Sequence, residues 1–155
     1  MVPESRINFT EVNPQVYADM LAFSRSLSRS SISPDLRELI NIRVSQINGC
    51  AFCLAMHARM AKEKGESEYR LYLLNAWRDA PHYSAAERAA LELAESVTHI
   101  SHGGVTEELY DRVREHFSAV EYIDLLAMIN VINSWNRFMI GIGQQASDYS
   151  IDKKG

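Results

Sequence analysis

The chain holds two cysteines, Cys50 and Cys53, set three positions apart, and His57 follows the second by four positions. Close thiols of this kind serve as metal ligands, as a redox-active pair, or as two inert side chains filling a helical core. A helix that opens near Cys50 places both thiols in its first turn. There the unpaired backbone N–H groups and the helix dipole favour an anion. That lowers a thiol pKa and raises the fraction of thiolate, the nucleophilic form. Two sulfurs so placed can also close a disulfide. His57 lies one turn beyond Cys53 on the same face. An imidazole there can take the thiol proton directly or through one water.

A carboxylate belongs with this group. Glu38 stands twelve positions before Cys50, on the preceding helix. If the two helices fold back as a hairpin about Asn48-Gly49, residue 57 comes opposite about residue 40, at the shared rise of about 1.5 Å per residue. Glu38 then arrives near His57, within reach of Cys53, where it can orient the imidazole and accept its proton. It falls beside the apolar stripe of its helix, and from spacing alone a solvated carboxylate in the favourable first turn is the simpler reading. Cys50, Cys53, His57 and Glu38 also make a formal set of four zinc ligands. Structural zinc sites mostly use Cys and His alone, commonly in paired clusters, and this chain has no second cysteine pair.

The elements that must carry these residues read as helices throughout. Caps recur with apolar residues at helical spacing, and alternation of the strand type is rare. Asn13-Pro14 starts a helix running through Leu27 with Val16, Met20, Phe23 and Leu27 on one face. Ser33-Pro34 starts the next, with a stripe of Leu36, Leu39, Ile40, Val44 and Ile47 that Asn48-Gly49 ends. A helix from Cys50 to Lys64 follows, with Gly65 as its stop, then a short one in "SEYRLYLLNAW". Ser84 with Glu87, and Ser118 with Glu121, form capping boxes. The second opens a long apolar helix ending near Gly141, with Asn130, Asn133 and Asn136 three apart along it. Buried amides need partners, so hydrogen bonds to neighbouring helices or to another subunit are expected of them. The tail "ASDYSIDKKG" reads as frayed.

The expectation is one all-α domain over residues 1–155, a bundle of about seven helices with its core in residues 10–145. At 155 residues and 46% hydrophobic content, such a chain buries roughly two-thirds of its unfolded surface and needs no staple. The net charge of −4 comes without a basic run, which argues against nucleic acid as a partner. The N-terminus lacks the apolar stretch of a signal peptide, and "YIDLLAMINVINSW" is too short and too polar to span a membrane. A cytoplasmic protein is expected. In a reducing compartment a close cysteine pair points to catalysis, redox chemistry or metal rather than to a structural staple.

The pattern Glu38, eleven residues, Cys50-Ala51-Phe52-Cys53, three residues, His57 resembles the carboxymuconolactone decarboxylase / alkylhydroperoxidase D-like superfamily. "SQINGCAFCLAMH", "RLYLLNAWRDAPHYSAAERAALELAE" and "MINVINSWNR" resemble segments of its small single-domain bacterial members. The resemblance spans about residues 10 to 145. It implies an all-helical subunit assembling as a trimer or hexamer, and a thiol peroxidase acting on alkyl hydroperoxides. It implies Cys53 as the peroxidatic thiol, Cys50 as the resolving thiol, and Glu38 with His57 as the proton relay. It implies no bound cofactor, and an external dithiol donor that in the best-known members is a lipoylated protein. Characterised peroxidases of the family carry a second histidine between the cysteines, where this chain has Phe52. The decarboxylases generally lack the cysteine pair, so lactone decarboxylation is not expected. A dithiol sensor or an oligomeric binding protein without turnover is the alternative outside enzymology.

Overall fold

The computed structural model describes residues 5–146. Among them are eight α-helices and no strand: α1 (Phe9–Val12), α2 (Pro14–Ser26), α3 (Pro34–Asn48), α4 (Ala51–Glu63), α5 (Glu68–Leu73), α6 (Ala85–Thr98), α7 (Glu107–Arg114) and α8 (Ala119–Ile142). The extra helix over the expected seven is α1, a single turn capped by the Asn8 side chain and too short to leave a periodic signature.

The boundaries follow the caps. Asn13 and Ser33 accept backbone N–H bonds at the starts of α2 and α3, each with proline in the first turn. Both capping boxes form, Ser84 with Glu87 and Ser118 with Glu121. Gly49 ends α3 at φ 70°, a left-handed conformation that glycine adopts without the Cβ clash other residues meet. That turn reverses the chain, so α3 and α4 pack against each other as the hairpin the sequence suggested.

α3 is the central element, packed on α4, α6 and α8. Its apolar residues divide between two cores. Leu36, Ile40 and Val44 pack with α6 and α8 residues such as Leu93, Leu125 and Ile129. Leu39 and Ile42 join Leu74, Trp77 and Leu91 on the other side. Losing a fully buried side chain such as Leu39 to alanine costs about 2–5 kcal/mol, so α3 is held against sliding or rotation. The stripe expected on α2 differs. Leu27 is buried, but Val16 and Phe23 stay 37% and 43% exposed. Met20, between them, is half-buried, so that face is covered unevenly along the helix.

Residues before α2 cross the end of α8. The Arg6 backbone N–H donates to Ile142 O at 2.7 Å and its guanidinium to Gly141 O at 3.1 Å. Phe9 stacks on Phe138 with ring centroids 4.6 Å apart. The frayed-tail expectation concerns residues 146–155, and all of these but Ala146 lie outside the described residues. No helix among the described residues is long and apolar enough to cross a membrane.

Candidate active site

Cys50 is the N-cap of α4, and its Sγ accepts the backbone N–H of Cys53 at 3.4 Å. A sulfur thus takes the place that a serine or aspartate oxygen usually fills at a helix start. Both cysteines are free thiols and nearly inaccessible, at 2% and 1% exposure. Cys50 is packed away from solvent, while Cys53 lies in the wall of a cavity of about 850 Å³.

The two sulfurs hydrogen-bond to each other and titrate as one unit. The bond from the Cys53 thiol, outweighing burial, brings Cys50 down to about 7, helped by the Cys53 backbone N–H and the Asn136 amide. The same bond, together with burial and the charge on Cys50, pushes Cys53 well up. Near neutral pH about half of the pairs have lost one proton, and the charge then sits on Cys50. The sequence placed the helix-terminus effect on both thiols. In the structure backbone N–H groups favour the anion on both, and the bond between the sulfurs is what sets Cys50 below Cys53.

Asn136 backs this pair from α8. It is fully buried, donates to Ser45 Oγ at 3.0 Å and accepts from Asn48 Nδ2 at 2.9 Å. Asn48 also donates to Asn133 Oδ1 at 2.9 Å, and Asn133 donates to Thr98 Oγ1 at 3.0 Å. These amides link α3, α6 and α8 around the cysteines, as buried amides on an apolar helix require. Asn130 instead donates to Leu126 O on the exposed side.

On the other side of Cys53, the α3–α4 hairpin brings Glu38 to His57, Oε2 to Nδ1 at 2.8 Å. Glu38 is 2% exposed, so the solvated-carboxylate reading does not hold. Its second oxygen accepts from Lys64 Nζ at 2.6 Å. Burial pushes the Glu38 carboxyl up, but the hydrogen bonds and charges of His57 and Lys64 together outweigh it and hold the group below its ordinary value. An ionised Glu38 only accepts, so His57 Nδ1 carries the proton of that bond. Nε2 is then the basic nitrogen, and it is the one free to serve the cavity that His57 and Cys53 both line. Asn41 adds a contact at 3.4 Å to Nδ1.

Three residues that the sequence left outside the site belong to it: Lys64, Asn136 and Trp135. Lys64 read as a helix end, 26 positions from Glu38. Asn136 and Trp135 sit in "INSWNR", where an amide on an apolar helix was the available signal. Trp135 lines the cavity and donates from Nε1 to Ser24 Oγ at 2.8 Å. Arg137 instead turns back to the Asn133 carbonyl at 2.9 Å. Phe52 lines the cavity beside Cys53. Among the described residues no three His, Cys, Asp or Glu side chains are grouped as metal ligands.

Residues 14–96 match the carboxymuconolactone decarboxylase family. The uncharacterised protein YdfG of Bacillus subtilis (strain 168) is 47% identical over 142 residues, 92% of this chain and 97% of that protein. Among solved structures, a candidate antioxidant-defence protein AhpD of unknown function from Agrobacterium tumefaciens superposes with TM-score 0.88 at 34% identity, over 92% of this chain and 97% of the other. The alkylhydroperoxidase AhpD core of an uncharacterised peroxidase-related protein from Ralstonia eutropha JMP134 shares the fold, with TM-score 0.78 at 22% identity, over 88% of this chain and 73% of its own.

Proposed function

The chain belongs to the carboxymuconolactone decarboxylase family and has the alkylhydroperoxidase D-like fold, and on that premise we propose that it reduces organic hydroperoxides through a Cys50–Cys53 dithiol/disulfide cycle. One observation carries the reading. A pair of adjacent free thiols presents only Cys53 to a cavity that it shares with a carboxylate-bound histidine.

The steps balance as follows. Cys53 attacks the terminal peroxide oxygen as its proton passes to Cys50 along the bond between the sulfurs. An S–O bond forms on Cys53 and the O–O bond breaks. His57 Nε2 takes up the proton released when the thiol pair ionises, and the alkoxide leaves with that proton while the Glu38 carboxylate stabilises the charge the imidazole carries between the two transfers. Cys50 then attacks the sulfenic sulfur of Cys53 as its own proton passes to the leaving oxygen. Hydroxide leaves and becomes water with that proton. Two electrons reach the peroxide, giving an alcohol and water, and the chain is left with a disulfide. An external dithiol, such as a protein-bound lipoyl group, returns the electrons by thiol–disulfide exchange. Lys64 keeps Glu38 ionised, so Glu38 orients and stabilises the imidazolium and the proton stays on His57. A trimer or hexamer, working in the cytoplasm, completes the proposal.

The test is steady-state consumption of cumene hydroperoxide with dihydrolipoamide as reductant. Turnover is expected, and its loss in Cys53→Ser. A protein that forms the disulfide once but never turns over would be a sensor instead, and the enzymatic reading would fall.

A further inference from the structure

The cavity is large for a peroxide group alone. At about 850 Å³ it is in the range that encloses a drug-sized molecule. Four of the chain's six methionines, Met56, Met60, Met128 and Met139, line it. Unbranched, polarisable thioethers adapt to apolar ligands of varied shape. Trp135 supplies a flat wall, with the Tyr17 ring packed edge-on at 5.9 Å.

Against this apolar lining stands one permanent cation, Arg37. Its terminal nitrogen donates to Leu27 O at 2.7 Å, while its Nε is buried without a hydrogen-bond partner. Among the described residues it makes no ion pair, and no Asp or Glu lines the cavity. It also lies near the start of α3, where the helix dipole disfavours a positive charge. Arg37 is half-buried, so its charge is partly removed from water, which is costly unless an anion meets it, and among the described residues none does. The fork of N–H donors fits a carboxylate in two-point contact.

We propose that Arg37 anchors an acidic substrate: an organic hydroperoxide with an apolar body and a carboxylate at the end away from the peroxide. This rests on the peroxidase reading for the reaction, but not for the binding. The body lies along the methionines and Trp135, the carboxylate meets Arg37, and the peroxide reaches Cys53 in the same cavity. Neutral hydroperoxides and hydrogen peroxide lack the anchored end.

The test is calorimetric titration of the reduced protein with 4-phenylbutanoate and with its neutral amide, 4-phenylbutanamide, in the absence of peroxide. The acid should bind at least about ten-fold more tightly, the usual scale for a charge-assisted contact of this kind. Arg37→Met should bring that ratio to within about two-fold of unity, and Arg37→Lys should keep part of it. Equal binding of acid and amide by the wild-type protein, binding of neither, or a ratio that survives Arg37→Met would overturn the inference. Should Arg37→Met fail to fold, the wild-type ratio and Arg37→Lys decide. Acid-selective binding without disulfide formation by cumene hydroperoxide would sink the peroxidase reading and keep the anchor. Disulfide formation without acid selectivity would do the reverse.

Discussion

Replacing Cys53 with alanine should move the titration of Cys50 by two units or more. In the native pair Cys50 is brought from 9.0 to about 7, with the Cys53 thiol hydrogen bond as the largest cause. Two units correspond to about a hundred-fold in ionisation and to a difference on the order of 3 kcal/mol between the two protonation states. Cys53→Ala removes that donor and keeps the backbone N–H, Asn136 and the burial. Burial is the second-largest influence and acts upward, so the lone thiol should titrate at or above the ordinary thiol value. At pH 7 about half of the native pair would carry a thiolate, against roughly 1% of the variant. The assay is the ultraviolet absorbance of the thiolate across a pH series. The variant has a single cysteine, so its curve has one assignment. A midpoint that stays near 7 would refute the reasoning, because the helix N-terminus and Asn136 alone would then account for the acidity. The reciprocal variant, Cys50→Ala, removes the main cause of the upward shift on Cys53, and its remaining thiol should titrate lower than Cys53 does in the native pair.

Three further perturbations follow from the same geometry. Glu38→Gln should slow turnover and cost about 1–3 kcal/mol of stability at neutral pH. Because the folded-state pKa of Glu38 is depressed, its contribution is full above the unfolded value near 4.5 and is lost as pH falls through the folded one. Wild-type and variant denaturation curves should therefore converge in acid, and a constant gap down to low pH would contradict the ionised pairing. Lys64→Met removes a hydrogen bond and a charge that hold Glu38 down, so the acid limb of the kcat/KM profile should move to higher pH. An unmoved limb would confine Lys64 to the surface. Asn136→Leu deletes a donor to both sulfurs, removes the donor to Ser45 Oγ and leaves Asn48 with Asn133 alone. It should raise the first thiol midpoint and lower stability by about 1–3 kcal/mol, measured by the thiolate titration and by urea unfolding.

The local part of the architecture was legible because it is written in neighbouring residues. Asn13-Pro14, Ser33-Pro34 and the two capping boxes mark helix starts by side chains that bond within the same turn. Asn48-Gly49 marks the reversal, and the helical rise then suffices to bring Glu38 to His57. What the sequence concealed depends on distant partners. Glu38 lies off the apolar stripe, yet Lys64 and His57 close over it, so its burial comes from cross-hairpin bonds. Asn136 acquires its place only when α8 crosses α3. Arg37 has no pattern to read at all, since its distinction is that no described acidic residue partners it in a cavity built from α2, α3, α4 and α8. The α2 stripe shows the opposite failure: apolar spacing at Val16 and Phe23 promised burial that the described residues do not supply.

The central claim is that Cys50 and Cys53 exchange two electrons with a hydroperoxide. The most direct measurement treats the reduced wild-type protein with one equivalent of cumene hydroperoxide, alkylates the remaining thiols and maps them by mass spectrometry. The account predicts loss of two hydrogens, a Cys50–Cys53 bond, and recovery of both thiols with a dithiol. Two alkylated cysteines after that treatment would contradict it.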